Sequence, residues 1–217
     1  MKKPANIKLW HCHNARSLRA LWALEEMGLY YELEVLPFPP RFLKKEYLEL
    51  NPLGTIPYLV DGDTRMTEST GICHYLAEKY KRADLLISVE HPDYGDFLNW
   101  LYHSDATLTF PQTIYLRYQV LEPKERRQPQ VAEDYRKWYL ARLRLLNKHI
   151  EGRTYLCDNK FTIADIAVGY ALYLGKLQGF STEYTKPVNN YLERLMMRPA
   201  FIRSVAITAS EANQSPV

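Results

Sequence analysis

Residues 50 to 70 read "LNPLGTIPYLVDGDTRMTEST", and this stretch decides the fold. Asn51-Pro52 stops whatever precedes it. Ile56-Pro57 then places a residue without a backbone donor at the start of an apolar run, where the X-Pro bond also has access to the cis form. "PYLV" and "RMT" are two short strand patterns around Asp61-Gly62-Asp63, a hairpin signal. Glu68-Ser69-Thr70 leads straight into Ile72, Cys73, Leu76 and Tyr80, a helix from about Ser69 to Lys79. A ββα unit follows from this order. It leaves backbone groups at Ile56 open at one end and aims a helix start, which attracts carboxylates, at the same place.

Upstream lies "IKLW" (7 to 10), a strand pattern, followed by Arg16 to Met27 with Leu18, Leu21, Trp22 and Leu24 at helical spacing and Gly28 placed to end the helix. "YELEV" (31 to 35) alternates like a half-buried strand, and "RFLKKEYLEL" (41 to 50) reads as a short helix. Crossover helices join parallel strands and tight turns join antiparallel ones. The order βαβαββα therefore predicts a four-stranded mixed sheet with helices packed on it, the thioredoxin-like arrangement.

Strand patterns end there. Helical spacing resumes over about 93 to 119, interrupted at Pro111, and again over 131 to 150, 163 to 178 and 188 to 197. The expected organisation is a thioredoxin-like domain over residues 1–81, a linker over 82–92 and an all-α domain over 93–217.

With 217 residues, 47% of them hydrophobic, the chain can bury a substantial core. Its 28 basic and 25 acidic residues nearly balance, and "KERR" (124 to 127) is too short a basic run to suggest nucleic acid. No stretch approaches the roughly 20 apolar residues of a membrane span. After "MKK" come His11, His13, Asn14, Arg16 and Arg19 where a signal peptide needs an apolar run, so a cytoplasmic protein is expected. Cys12, Cys73 and Cys157 are odd in number and far apart, which suggests reduced thiols. His11 and His13 lack the further ligands a metal needs, and no metal is expected.

These segments together resemble the cytosolic glutathione transferases nearly end to end, most of all a bacterial member of no assigned class. "NPLGTIPYLVDGDTRMTEST" resembles their glutathione-binding segment, "ARSLRALWALEEMGL" their first helix, "FTIADI" (161 to 166) the S/T-x-x-D box that opens a core helix, and "YLERLMMRPAF" (191 to 201) their usual tail. The resemblance implies that the bond before Pro57 is cis and that Ile56 pairs with the cysteinyl backbone of glutathione as if it were another strand. Ser69 would bind the γ-glutamyl carboxylate and Glu68 its ammonium, although Ser69 also stands where a helix cap is placed. Thr55 precedes this pair where many relatives carry Lys. For the glycyl carboxylate a cation is expected from Arg41, Lys44 or Lys45. Thr162 and Asp165 form a capping box, a structural device.

The chemistry needs the thiolate of glutathione, stabilised near the start of the first helix. "HCHNARS" (11 to 17) occupies that place. Asn14 stands where some bacterial and fungal relatives carry a thiol-binding Asn, Cys12 where others carry a catalytic Ser or Cys, and Ser17 is a third candidate. Asn14 would suit conjugation by a glutathione transferase. Cys12, its pKa depressed by the helix dipole, would make a thiol transferase or lyase.

The second substrate would be a small hydrophobic electrophile. Its pocket is expected on "DYGDFLNWLYHSDATLTFPQTIYLRY" (93 to 118), from Tyr102, His103, Ala106, Phe110, Tyr115 and Tyr118, with Tyr170 a further possibility. By resemblance the protein is a homodimer. A noncatalytic ligand-binding or interaction protein of the same fold is the reading from a different class.

Overall fold

The computed structural model describes residues 7–212. They fall into two compact units, one over residues up to 86 together with those from 196 onward, the other over 87–195.

The first unit is built on a four-stranded sheet of order β2-β1-β3-β4. β1 (Ile7–His11) leads into α1 (Ser17–Met27), then β2 (Glu32–Val35), two short helices α2 (Pro40–Leu43) and α3 (Tyr47–Leu50), the hairpin β3 (Tyr58–Asp61) and β4 (Thr64–Met66), and α4 (Ser69–Lys79). β1 runs parallel to β2 and antiparallel to β3, and β3 is antiparallel to β4. This is the mixed thioredoxin-like sheet expected. Gly28 ends α1 in the left-handed conformation, φ +62°, its N–H donating back to Glu25 and Leu24. α1 packs on α4 and on α10 (Pro199–Ala212), which belongs to the same unit. Arg198 fixes that last segment by donating through Nε and Nη2 to the two oxygens of Glu26 at 2.6 and 2.9 Å.

The single helix expected over 41 to 50 is two helices. Lys44, with φ −141° and ψ 74°, leaves the helical region between them.

The second unit is all helical. It holds α5 (Tyr94–His103), α6 (Phe110–Leu116), α7 (Pro129–Ile150), α8 (Ile163–Leu177) and α9 (Lys186–Met196). Pro111 does not interrupt the first of these stretches. It sits in the opening turn of α6, where a missing N–H costs little, and the departures from α geometry are two wider π-type segments at 104–109 and 117–121. The capping box forms as expected, with the Thr162 hydroxyl accepting from the Ala164 N–H at 3.3 Å and the Asp165 carboxylate from the Thr162 N–H at 2.8 Å. Among the described residues no helix is long and apolar enough to cross a membrane, and no three of His, Cys, Asp and Glu gather as a metal would require.

Candidate active site

Strand register assembles the site. Trp10 faces Tyr58 across β1 and β3, and Leu59 faces Met66 across β3 and β4. Continued by two to three residues, these registers set the loop after His11, the Ile56-Pro57 pair and the Glu68-Ser69 pair along one edge of the sheet. The end of β2 joins them, because Val35 is level with His11.

At the middle of this edge the Ile56-Pro57 bond is cis. The residue before it is pinned. The Thr55 carbonyl accepts from the Tyr47 hydroxyl and from the Asn51 side-chain amide, both at 2.8 Å, and Asn51 is buried and also accepts from the Leu53 N–H through its own Oδ1. The Ile56 amide and carbonyl, by contrast, have no hydrogen-bond partner among the described residues. A backbone so held and so open can take a peptide as an extra strand. Tyr47 and Asn51 escaped the sequence reading. In the sequence Asn51 reads only as a helix stop, and nothing local announces that its side chain turns forward to Thr55.

At one end of the edge, α4 begins at Ser69. Ser69 is not its cap: that position is Glu68, with φ −84° and ψ 115°, and Glu68 makes no side-chain capping bond. The serine hydroxyl is instead buried and accepts from Nη1 of Arg19 at 3.0 Å. The first N–H groups of α4 and the exposed Glu68 carboxylate have no partner among the described residues, so a donor set and a carboxylate lie side by side, as an amino acid head group requires.

At the other end, the β1–α1 loop separates its three candidates. Asn14 adopts φ +57°, a left-handed conformation asparagine tolerates, and is half-buried. Cys12 is fully buried in an apolar cluster with Trp10, Leu36, Tyr47, Ile56 and Tyr58. Burial pushes its thiol up to about 12, the reverse of the depression by the helix dipole that a reactive cysteine here needs. The Ser17 hydroxyl also turns inward, accepting from the Cys12 N–H at 3.2 Å and donating to the Cys12 carbonyl at 3.4 Å. It closes the turn that starts α1 and has no part facing outward. His11 is buried as well, and desolvation carries its ring down to about 3, with the Ser17 backbone acting in the opposite sense.

Arg41, Lys44 and Lys45 are all exposed on or just after α2. Lys44 and Lys45 have no ion pair among the described residues, while the Arg41 guanidinium lies 4.6 Å from the Phe42 ring centroid. Gly54 brings the loop before Thr55 against this helix. At φ +58° it leaves room for no side chain, since a Cβ there would meet Arg41 Cβ at 2.6 Å.

In the second unit the six predicted pocket residues do not converge. His103 and Ala106 line a cavity of about 520 Å³ with Thr107 and, from α7, Trp138, Arg142 and Leu145. Tyr102 and Phe110 are 67% and 51% exposed, Tyr115 packs edge-on against Phe180, and Arg117 lies over the Tyr118 ring. Tyr170 is buried in the core of α8.

Comparison with known proteins decides the family. Residues 15–79 match the model described as glutathione S-transferase, N-terminal domain, and residues 103–199 match glutathione S-transferase, C-terminal domain. The chain belongs to the glutathione S-transferase family. Glutathione S-transferase 1 of Schizosaccharomyces pombe (strain 972 / ATCC 24843) is 30% identical over 175 residues, which cover 75% of this chain and 73% of that protein. Among solved structures, Ure2p5 of Phanerochaete chrysosporium, cocrystallized with 1-(S-glutathionyl)-2,4-dinitrobenzene, has the same fold, with a TM-score of 0.83, 23% identity and full coverage of both chains. URE2P6 of the same organism, in complex with oxidized glutathione, gives a TM-score of 0.81 at 26% identity, covering 97% of this chain and 99% of that one. The glutathione S-transferase N-terminal model thus spans the β1–α1 loop from Ala15, the Ile56-Pro57 pair and the start of α4, the three places that the register brings to one edge.

Proposed function

We propose that this chain is a glutathione transferase in which the thiolate of bound glutathione attacks a small hydrophobic electrophile. The observation that carries the reading is the open Ile56 backbone, held by Tyr47 and Asn51 through Thr55, lying between the first turn of α4 and the Asn14 loop. Glutathione fits this order of groups. Its γ-glutamyl head meets Glu68, Ser69 and the free amides of α4, its cysteinyl backbone pairs with Ile56, and its sulfur reaches the β1–α1 loop. Arg41 or Lys44 takes the glycyl carboxylate, Arg41 with the better hydrogen-bonding geometry of the two.

Asn14 is the group assigned to the thiol. Its side-chain amide donates to the sulfur and favours the thiolate, which is the nucleophile. The electrophile belongs to the helical unit, with His103 and Ala106 the pocket residues that share a cavity. The protein works in the cytoplasm as a homodimer. Phe42, Leu43, Leu50 and Leu53, all exposed in the first unit, support self-association. Neither nucleic acid nor a membrane is a partner.

The ultraviolet absorbance of the thiolate, followed against pH in the glutathione complex, tests the assignment together with turnover of an aryl halide. Replacing Asn14 by Ala is expected to raise the pH at which bound thiolate forms and to lower kcat on the order of a hundredfold. Unchanged titration and turnover in that variant would remove Asn14 from the mechanism.

A further inference from the structure

Arg19 is the largest charged side chain in the first unit to be wholly buried, at 0% exposure, and its place on α1 is not explained by apolar packing. Ser17 to Leu24 are all buried, so the helix turns no side of that stretch to water. A guanidinium there needs acceptors for its hydrogen bonds. From α1 its guanidinium reaches the first residue of α4, Nη1 donating to Ser69 Oγ at 3.0 Å. The backbone around it is held too, with Cys73 Sγ of α4 placed 3.4 Å from the Arg19 carbonyl.

A serine hydroxyl has one proton to give and two lone pairs to receive. With a guanidinium donating to its oxygen, the Ser69 hydroxyl has its proton left for an acceptor, and the neighbouring positive charge polarises it toward a stronger donor.

We infer that Arg19 is a positioning residue for the γ-glutamyl carboxylate of glutathione: without touching the ligand, it holds the Ser69 oxygen so that the hydroxyl is set as a donor. This rests on the assignment of Ser69 to that carboxylate.

The test compares binding of glutathione with binding of the analogue that lacks only the α-carboxylate of the γ-glutamyl residue, by calorimetry on the full chain. Arg19→Lys is expected to weaken glutathione about tenfold and the analogue little, and kcat at saturating glutathione is expected to hold. Ser69→Ala should lose the same discrimination, and the double variant should bind no worse than Ser69→Ala alone. Equal weakening of both ligands by Arg19→Lys, or additive losses in the double variant, would make Arg19 a purely structural residue. If Ser69→Ala itself leaves the discrimination intact, the Ser69 assignment fails first. Should Arg19→Lys not fold, the guanidinium resonances of the unaltered protein decide, since glutathione must shift the buried one and the analogue must not.

Discussion

Tyr191 on α9 donates its hydroxyl to the Asp165 carboxylate on α8 at 2.8 Å, and both side chains are fully buried. The same carboxylate accepts from the Thr162 N–H, the Thr162 hydroxyl and the Leu156 N–H. Asp165 is therefore more than a helix cap. It ties the loop before α8 and the helix α9 to one charge.

Asp165→Asn is nearly isosteric yet leaves buried donors without an acceptor, so it should cost about 3 kcal/mol of stability in chemical denaturation. Its pH signature follows from the acid's position. Burial outweighs the hydrogen bonds and carries Asp165 up to about 6, above its ordinary range near 3.9. Between those values the folded chain holds a proton the unfolded chain has lost. This group's contribution therefore falls as pH rises from about 4 to about 6 and is level beyond. The Asn variant should lack that slope, and an identical slope would place the acid's titration elsewhere.

His11 acts in the opposite sense. Neither ring nitrogen completes a hydrogen bond of ordinary geometry among the described residues, and the folded ring titrates at about 3. On acidification the unfolded chain takes up the proton first, near 6.5, so stability is intact above that pH and is lost progressively toward 3. His11→Leu removes two unsatisfied nitrogens and should change stability by less than about 1 kcal/mol near neutral pH. Around pH 5 it should be more stable than the parent. A variant that acid-unfolds along the parent's curve would show that His11 does not drive the acid limb.

What the sequence disclosed and what it hid divide by range. Gly28 and the Asp61-Gly62-Asp63 turn are local signals, and the βαβαββα order could be read from them and from the apolar spacing. Ser69 looked like a helix cap because its true partner, Arg19, lies 50 positions away in the chain. Cys12 looked reactive because its position near a helix start is local, whereas the cluster that buries it comes from β1, the end of β2, α3 and β3. The split between α2 and α3 is of the same kind: Tyr47, which opens α3, bonds forward to the Thr55 carbonyl outside its own helix. Aromatic residues on α5 and α6 could not be sorted into core and cavity, because helical spacing gives a face without saying what covers it.

Asn51 and Tyr47 offer a separate handle on the open backbone. Each donates to the Thr55 carbonyl, so removing one leaves the peptide before Ile56 less firmly held while the groups assigned to the sulfur are untouched. Tyr47→Phe and Asn51→Ala should each raise KM for glutathione by roughly three- to tenfold with kcat nearly unchanged, as expected when binding equally felt by ground and transition states is lost. A fall in kcat with KM constant would instead connect Thr55 to the chemical step.

Cys12 provides the contrast with Asn14. Its sulfur lies 3.7 Å from the Pro37 carbonyl inside the apolar cluster, where it behaves as a small hydrophobe. Cys12→Ala should cost about 1 kcal/mol for the space vacated and leave transferase turnover within about twofold of the parent. Iodoacetamide should label this position slowly near neutral pH, because a thiol pushed up to about 12 supplies almost no thiolate. Rapid labelling, or a mixed disulfide between Cys12 and glutathione detected by mass, would mean that the loop opens far enough to expose the sulfur and would bring the thiol transferase mechanism back into contention.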